Sequence, residues 1–378
     1  MSSKHILVTG GAGFIGSHLV DSLVELGHRV RVLDNLDPQV HGAGASPTAI
    51  AGHIDSGSVE FIRADVRDMD AVRRSVADVD VISHQAAAVG VGQSMYRIAD
   101  YVRANCEGTG VLLQAIVERD RPLEKLVVAS SMSIYGEGQY FCAEHGTMYP
   151  AVRPEAQLRD GVWEMLCPEC DEVLEPVPTP ESKPLCPTSV YAVTKRDQEE
   201  LCLSVGAAYG IPTVALRYFN TYGPRQSLNN PYTGVAAIFT SRLLNARPAL
   251  VFEDGIQSRD FIHVSDIVRA NLAALERGQA DGEAVNVGTG RRLSLRDLTA
   301  ALRAKLGGPE PEYVSRFRKG DIRHCFGDVA RARDLLGFES TVRFEDGIDD
   351  LAVWAGSQDA EDRVEEARHE LETAGLTV

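Results

Sequence analysis

Basic charge is scarce in this sequence. Against 54 Asp and Glu it carries 38 Lys and Arg, a formal net charge of −16 over 378 residues. General nucleic-acid binders and membrane-surface proteins use a basic face, so neither nucleic acid nor membrane is an expected partner. No run approaches the roughly 18 apolar residues of a membrane span. The opening "MSSKHILVTGG" enters a strand and turn directly, without the architecture of a secretory leader. These absences predict a soluble, cytoplasmic protein. Cysteine is sparse as well. There are seven, and an odd number in a reducing compartment argues against a disulfide framework. Internal repeats and low-complexity tracts are missing. The rest is ordinary globular composition, 44% hydrophobic and 24% charged, in a chain long enough for a sizeable core.

The N-terminus carries the first chemical signal. "HILVTG" is a short apolar run that fits a buried parallel strand. In "GGAGFIGSHLVDSLVELG" the residues Ile15, Leu19, Leu23 and Leu26 recur at helical spacing, and Gly27 suits the C-terminal cap. Between strand and helix lies Gly10-Gly-Ala-Gly13-Phe-Ile-Gly16. Glycines there let the backbone approach a pyrophosphate, and the helix N-terminus offers free N–H groups and a positive dipole end. A second strand, "RVRVLD", ends at Asp34. An acid at that point fits a ribose 2′-hydroxyl and repels a 2′-phosphate, which favours NAD over NADP.

Strands and helices keep alternating. "VEFIRAD", "DVISHQAA" and "KLVVASS" read as strands, "MDAVRRSVADV" and "IADYVRANCEGTGVLLQAIVERD" as helices. The predicted fold is therefore α/β: a Rossmann-type doubly wound parallel sheet with a smaller C-terminal α/β substrate domain. Ligands in such sheets bind beyond the carboxyl ends of the strands, where Asp65, His84–Ala88 and Ser130–Ser131 would gather. Residues 41–58, rich in Gly, Ala and Ser, read as a loop.

"SVYAVTK" places Tyr191 and Lys195 four apart, on one face of a helix running to about Tyr209. A neighbouring ammonium favours the phenolate of a tyrosine, which can then serve as a base. With "TGGAGFIGS", "HQAA", "ASSMSIYG", "LRYFNTYGPRQ", "RDFIHVSDIV" and "NVGTG", the chain resembles the extended short-chain dehydrogenase/reductases, in their NAD-dependent nucleotide-sugar epimerase/dehydratase group. The resemblance spans roughly residues 4–355. It implies a catalytic triad of Ser131, Tyr191 and Lys195. It implies a cofactor set of Gly10, Gly13, Phe14, Ile15, Gly16, Asp34, Asn35, Asp65, Val66, Gln85, Ala86, Ala87 and Asn105, with Tyr191 and Lys195. For the nucleoside-diphosphate sugar it implies Ser131, Met132, Ser133, Asn220, Arg259, Arg318 and Asp321. It also implies a homodimer built on the helices at 95–120 and 190–209. Dehydratases of the group follow the catalytic Ser/Thr with an Asp-Glu pair, and the related decarboxylases usually place a Glu second. Met132-Ser133 departs from both and leaves C4 epimerisation as the expected reaction.

Between Ser131 and Tyr191 this sequence is longer than the family. The extra stretch holds Cys142-x-x-His145-Gly and Cys167-Pro-x-Cys170-Asp. Paired knuckles at this spacing suit zinc, and four ligands make a closed, structural site. Cys186 is the alternative fourth ligand to His145. With this insertion, "DNLDPQVHG" and "GPRQSLNNPYTGVAAIF" narrow the resemblance to bacterial dTDP-L-rhamnose 4-epimerases. The expected organisation is an NAD-binding domain over 1–219, interrupted by a zinc-knuckle insertion at 139–187. A nucleotide-sugar domain follows over 220–355, with chain segments crossing between the two, and then an acidic, solvated tail or helix at 356–378. Three other readings stand beside the leading one. These are a UDP-glucose or UDP-glucuronate 4-epimerase, a net 4-keto-sugar oxidoreductase, and a nucleotide-sensing scaffold.

Overall fold

Seven parallel strands form the centre of the protein in a computed structural model, which describes residues 3–42 and 44–377. In chain order they are β1 (His5–Thr9), β2 (Arg29–Asp34), β3 (Val59–Arg63), β4 (Val81–His84), β5 (Lys125–Ser131), β6 (Thr213–Tyr218) and β7 (Glu283–Val287). Their order in the sheet is β7-β6-β5-β4-β1-β2-β3. Every residue of β1, β4, β5 and β6 is buried, as continuous apolar strands covered on both faces must be. Strand order reverses between β1 and β4, which opens a crevice at their carboxyl ends.

One face of the sheet packs Leu19, Leu23, Ile267 and Ala270 from the helices Phe14–Glu25 and Val264–Glu276. The other packs Val72, Leu112, Ile116 and Cys202 from helices at 69–76, 108–117 and 190–209. A smaller core, with Tyr222, Phe239, Phe261, Leu298, Phe344 and Leu351, holds the second half together. The chain crosses between the two cores: β7 and the helix Val264–Glu276 both return to the main sheet. Among the described residues no helix is long and apolar enough to cross a membrane.

Three segments differ from the reading above. Residues 41–58 are not all loop. Thr48–Ile50 and Ala51–Asp55 form short helical turns that sink Ile50 into the core. The long helix expected near 95–120 runs without interruption from Ile98 to Val117, but its middle, Val102–Glu107, is wound as a wide π-type stretch. The acidic tail is not simply solvated. Its helix Val364–Thr373 buries Ala367 and Leu371, and Glu365 and Glu372 pair with Arg242 and Arg316. Beyond it, Thr377 bridges Arg318.

The insertion is a small unit of its own. Gln139–Cys142, Gly146–Met148 and Glu175–Val177 make a three-stranded antiparallel sheet. Tyr140, Cys142, Met165, Cys167 and Leu174 form its core. An apolar cluster of five side chains is small for so many residues, and units this small usually need a metal or a disulfide.

Candidate active site

The glycine turn leaves β1 at Gly10, whose φ is +68°, and enters the helix Phe14–Glu25 with Gly13 as N-cap. No side chain caps this helix, so its first N–H groups face the crevice. A Cβ on Gly10 would lie 2.8 Å from the Ala86 nitrogen, and one on Gly16 only 2.1 Å from the Gly10 carbonyl oxygen. The loop is folded back on itself as tightly as backbone allows. Asp34 closes it from outside, accepting from the amides of Ala12 at 3.0 Å and Leu36 at 2.9 Å. Each carboxylate oxygen keeps a lone pair, so ribose hydroxyls fit there too. Gly16→Ala should therefore empty the cofactor site while the sheet still folds. The clash is with backbone, and overpacking of this kind costs roughly 1–3 kcal/mol. Cofactor released by denaturation, compared at equal circular dichroism, measures it.

Around this loop the expected cofactor residues share out different tasks. Phe14 and Ile15 start the helix, and Ala86 donates its amide to Thr9 Oγ1 at 3.2 Å. Ala87 follows in the same loop after β4. Asp65 is held by Arg67 and by Asn35, and the Arg67 guanidinium brings its carboxyl down to about 2. Val66 lies against Gly108. Two residues turn their side chains to protein partners. Gln85 spends its side chain on Ser83, Asn271 and Tyr218. Asn105 is fully buried in the π-type turn and joins Ala88, through N–H and carbonyl, to Thr194 on the catalytic helix. Both polar atoms of its side chain are engaged by protein.

Ser131 ends β5, and Tyr191 and Lys195 stand on the first turns of Val190–Tyr209, which packs on that strand. Ser189 caps this helix by accepting from the Ala192 amide, and the Tyr191 amide donates to Ser94 Oγ at 3.0 Å. The Tyr191 ring meets Tyr101 edge to face, centroids 6.4 Å apart. Both the hydroxyl and the amide of Ser133 donate to Ser131 Oγ, at 2.8 and 3.1 Å. Ser131 thus keeps its own proton for a partner in the site. Burial pushes the Tyr191 phenol up, and the neighbouring Ser131 hydroxyl works against that. Burial likewise brings the Lys195 ammonium down to about 8.

Lys195 is aimed by its neighbours. Its Nζ donates to the Ala129 carbonyl and, at 2.7 Å, to Gln198 Oε1. An ammonium has three donors, so one remains for the crevice. Gln198 in turn donates to Thr109 at 2.8 Å. His84 lies between Thr9 and Thr109, at 2.7 and 3.0 Å, and burial, helped by Lys195, pushes its imidazole down to about 3. A neutral, fully bonded His84 is a strut between β1, β4 and the helix at 108–117. Sequence reasoning missed Gln198, Thr109 and Thr194; their one signal is polar residues on the inner faces of two apolar helices.

Asn220 opens the second half. Its Oδ1 is buried and has no partner among the described residues, which is where a donor from a ligand would be met. Arg259 spends three of its five donors on the carbonyls of Ser258, Ile322 and Arg323, at 2.8, 2.8 and 3.0 Å. Two have no partner among the described residues, enough for one forked grip on a phosphate. Arg318 holds Asp321 through Nε and Nη2 at 3.0 and 2.7 Å and lies over the Phe252 ring. Although burial opposes it, the charges of Arg318 and Arg259 keep the Asp321 carboxyl below its usual range. Met132 is buried behind Ser131. No carboxylate stands at 132 or 133 to eliminate water.

In the insertion, Cys142 Sγ lies 3.4 Å from His145 Nδ1 and 3.7 Å from Cys170 Sγ, and Cys167 Sγ lies 3.6 Å from His145 Nδ1. The four ligand atoms fall within 4.8 Å of one another. Tetrahedral zinc, with bonds of about 2.3 Å to sulfur and about 2.0 Å to nitrogen, separates its ligands by about 3.5 to 3.8 Å. The set fits that ion. Cys186 is exposed and stands outside the group, so the fourth position is His145.

The NAD dependent epimerase/dehydratase family model matches residues 6–288. A dTDP-L-rhamnose 4-epimerase of Burkholderia thailandensis is 34% identical over 365 residues, covering 95% of this chain and 96% of its own. Among solved structures, a Thermotoga maritima UDP-glucose 4-epimerase with UDP-glucose aligns with a TM-score of 0.75 at 32% identity, over 93% of this chain and 98% of its own. A mutant UDP-glucuronic acid 4-epimerase of Bacillus cereus, in complex with UDP-4-deoxy-4-fluoro-glucuronic acid and NAD, aligns at 0.76 and 28% identity, over 93% and 99%. With the glycine turn, the buried Tyr191–Lys195 helix and Ser131 in one crevice, the chain belongs to the NAD-dependent epimerase/dehydratase family.

Proposed function

We propose that this protein is an NAD-dependent 4-epimerase of a nucleoside-diphosphate sugar, with dTDP-L-rhamnose as substrate. The observation that carries the reaction is the company Ser131 keeps. Tyr191 and Lys195 serve oxidation at C4, while Met132 and Ser133 have no group that titrates near neutral pH to abstract or deliver a proton at C5 or C6. NAD, when bound, accepts hydride from C4 and gives it back. Ser131 holds the C4 oxygen, and Tyr191 takes its proton and later returns it. Lys195 keeps the phenolate within reach, and Asn220, Arg259, Arg318 and Asp321 hold the nucleotide while the sugar turns over.

The dTDP-sugar assignment is supported by the 34% identical relative. A UDP-sugar is the second reading, since the two solved relatives are a UDP-glucose and a UDP-glucuronic acid 4-epimerase. The metal of the insertion is a structural zinc, the ion that Cys142, His145, Cys167 and Cys170 suit. The protein works in the cytoplasm as a homodimer, and exposed Ile98, Val102 and Val193 on neighbouring helices suit the shared face. Conversion without added NAD and without net NADH formation tests the epimerase reading, since stoichiometric NADH turnover would mark a 4-keto oxidoreductase instead.

A further inference from the structure

The insertion is tied into the molecule by a buried ionic network, and the network leads to the nucleotide end of the site. Arg153, in the insertion, grips Glu253 with both terminal nitrogens at 2.9 Å, and the two side chains are 1% and 4% exposed. The same Glu253 accepts from Arg323 at 2.9 Å, and Arg323 also holds Asp254. From the insertion side, Glu164 pairs with Arg323 and with His324, the latter at 3.0 Å. At the insertion's root, Glu137 accepts from the Arg323 amide at 2.6 Å and from Tyr140 at 2.9 Å.

These contacts close on one short stretch, residues 321–324. Its other side is the one Arg259 grips, through the carbonyls of Ile322 and Arg323. Arg153 also reaches the Asp321 carbonyl, at 3.4 Å. The peptide units that orient Arg259 and present Asp321 are therefore fixed from behind by the insertion. A guanidinium aimed at a diphosphate is useful only while its carbonyl supports stay still, since its charge-assisted bonds weaken steeply as distance and angle drift. Among the described residues, none of the cofactor turn takes part in the network.

We propose that the insertion is a brace for the nucleotide-binding end of the substrate site, with Arg153 as a positioning residue that acts through residues 321–323 on Arg259. The inference rests on the nucleotide-sugar reading above. Arg153→Met keeps the length of the stem and leaves Glu253 paired with Arg323. Glu164→Gln alters the network at its half-exposed edge and serves as a second variant should Arg153→Met fail to fold. Arg159→Met, on an exposed pair with Glu155, is the control.

Calorimetric titration of each holoenzyme with dTDP and with UDP is the test, alongside KM and kcat. The brace predicts that Arg153→Met weakens nucleotide binding about tenfold or more, the loss of about one charged hydrogen bond, and raises KM in step. NAD content and kcat stay within about twofold, and the control does not change. Unchanged nucleotide affinity in Arg153→Met and Glu164→Gln, or a loss confined to kcat, would overturn the brace. A wild type that binds neither nucleotide would instead overturn the functional reading beneath it.

Discussion

Tyr191→Phe should lower kcat by about 100- to 10,000-fold while the fold and the bound cofactor survive. The substitution removes one oxygen. The ring keeps its edge-to-face contact with Tyr101, and the backbone amide keeps Ser94. What is lost is the acceptor for the C4 hydroxyl proton. The preparation for that step is visible in the structure. Ser133 fills the acceptor side of Ser131, so the serine proton is turned toward the site. Lys195, held by Ala129 and Gln198, keeps its charge at one side of the crevice. Steady-state rates on purified variant and wild type, with circular dichroism and cofactor content as controls, decide the matter. A kcat within a few-fold of wild type would remove Tyr191 from the chemistry.

Cys167→Ser should release the metal and loosen the insertion. Structural zinc in small domains contributes an apparent 10–16 kcal/mol or so, and a core of five buried side chains cannot replace that. Elemental analysis should find about one zinc per wild-type chain and little in the variant. Limited proteolysis should then cut within residues 139–187. The nucleotide-binding end should weaken with it through Arg153 and Glu164, while NAD at Gly10–Gly16 stays, because the network includes no residue of that turn. Wild-type protein prepared without chelator that holds less than about half an equivalent of zinc would count against the clamp.

Local signals in this chain were strong where one element carries its own pattern. "RVRVLD" is rich in β-branched residues and "KLVVASS" holds an unbroken apolar run; they are the strands Arg29–Asp34 and Lys125–Ser131 residue for residue. The glycine turn, the acid at its outer edge and the four-residue spacing of Tyr191 and Lys195 are likewise local. The knuckles were legible for the same reason, although spacing alone left Cys186 open, and only the fold brings His145 to the sulfurs.

Long-range pairings left no local trace. The tail looked like a solvated acidic helix because its acids outnumber its two buried positions, Ala367 and Leu371. The partners of its acids come from distant parts of the chain: Arg242 for Glu365, Arg316 for Glu372, and Tyr96 and Tyr232 for Glu370. Ile50 was hidden in a Gly/Ala/Ser-rich stretch because one buried residue makes no period. The network of Arg153, Glu164, Glu253 and Arg323 was equally silent, since charges in an insertion read as surface until the fold buries them. Buried ion pairs of this kind do little for net stability, but removing one partner is costly. That asymmetry suits a brace.

The most direct test of the central claim uses dTDP-L-rhamnose deuterated at C4, incubated with the purified protein without added NAD and followed by NMR. Hydride that leaves C4 and returns to its opposite face must bring the label with it. The account predicts the C4 epimer with deuterium retained at C4, no net NADH, and the same outcome absent in Tyr191→Phe. Epimer formed with loss of the label to solvent, or no C4 epimer from any dTDP- or UDP-sugar of a panel, would contradict it.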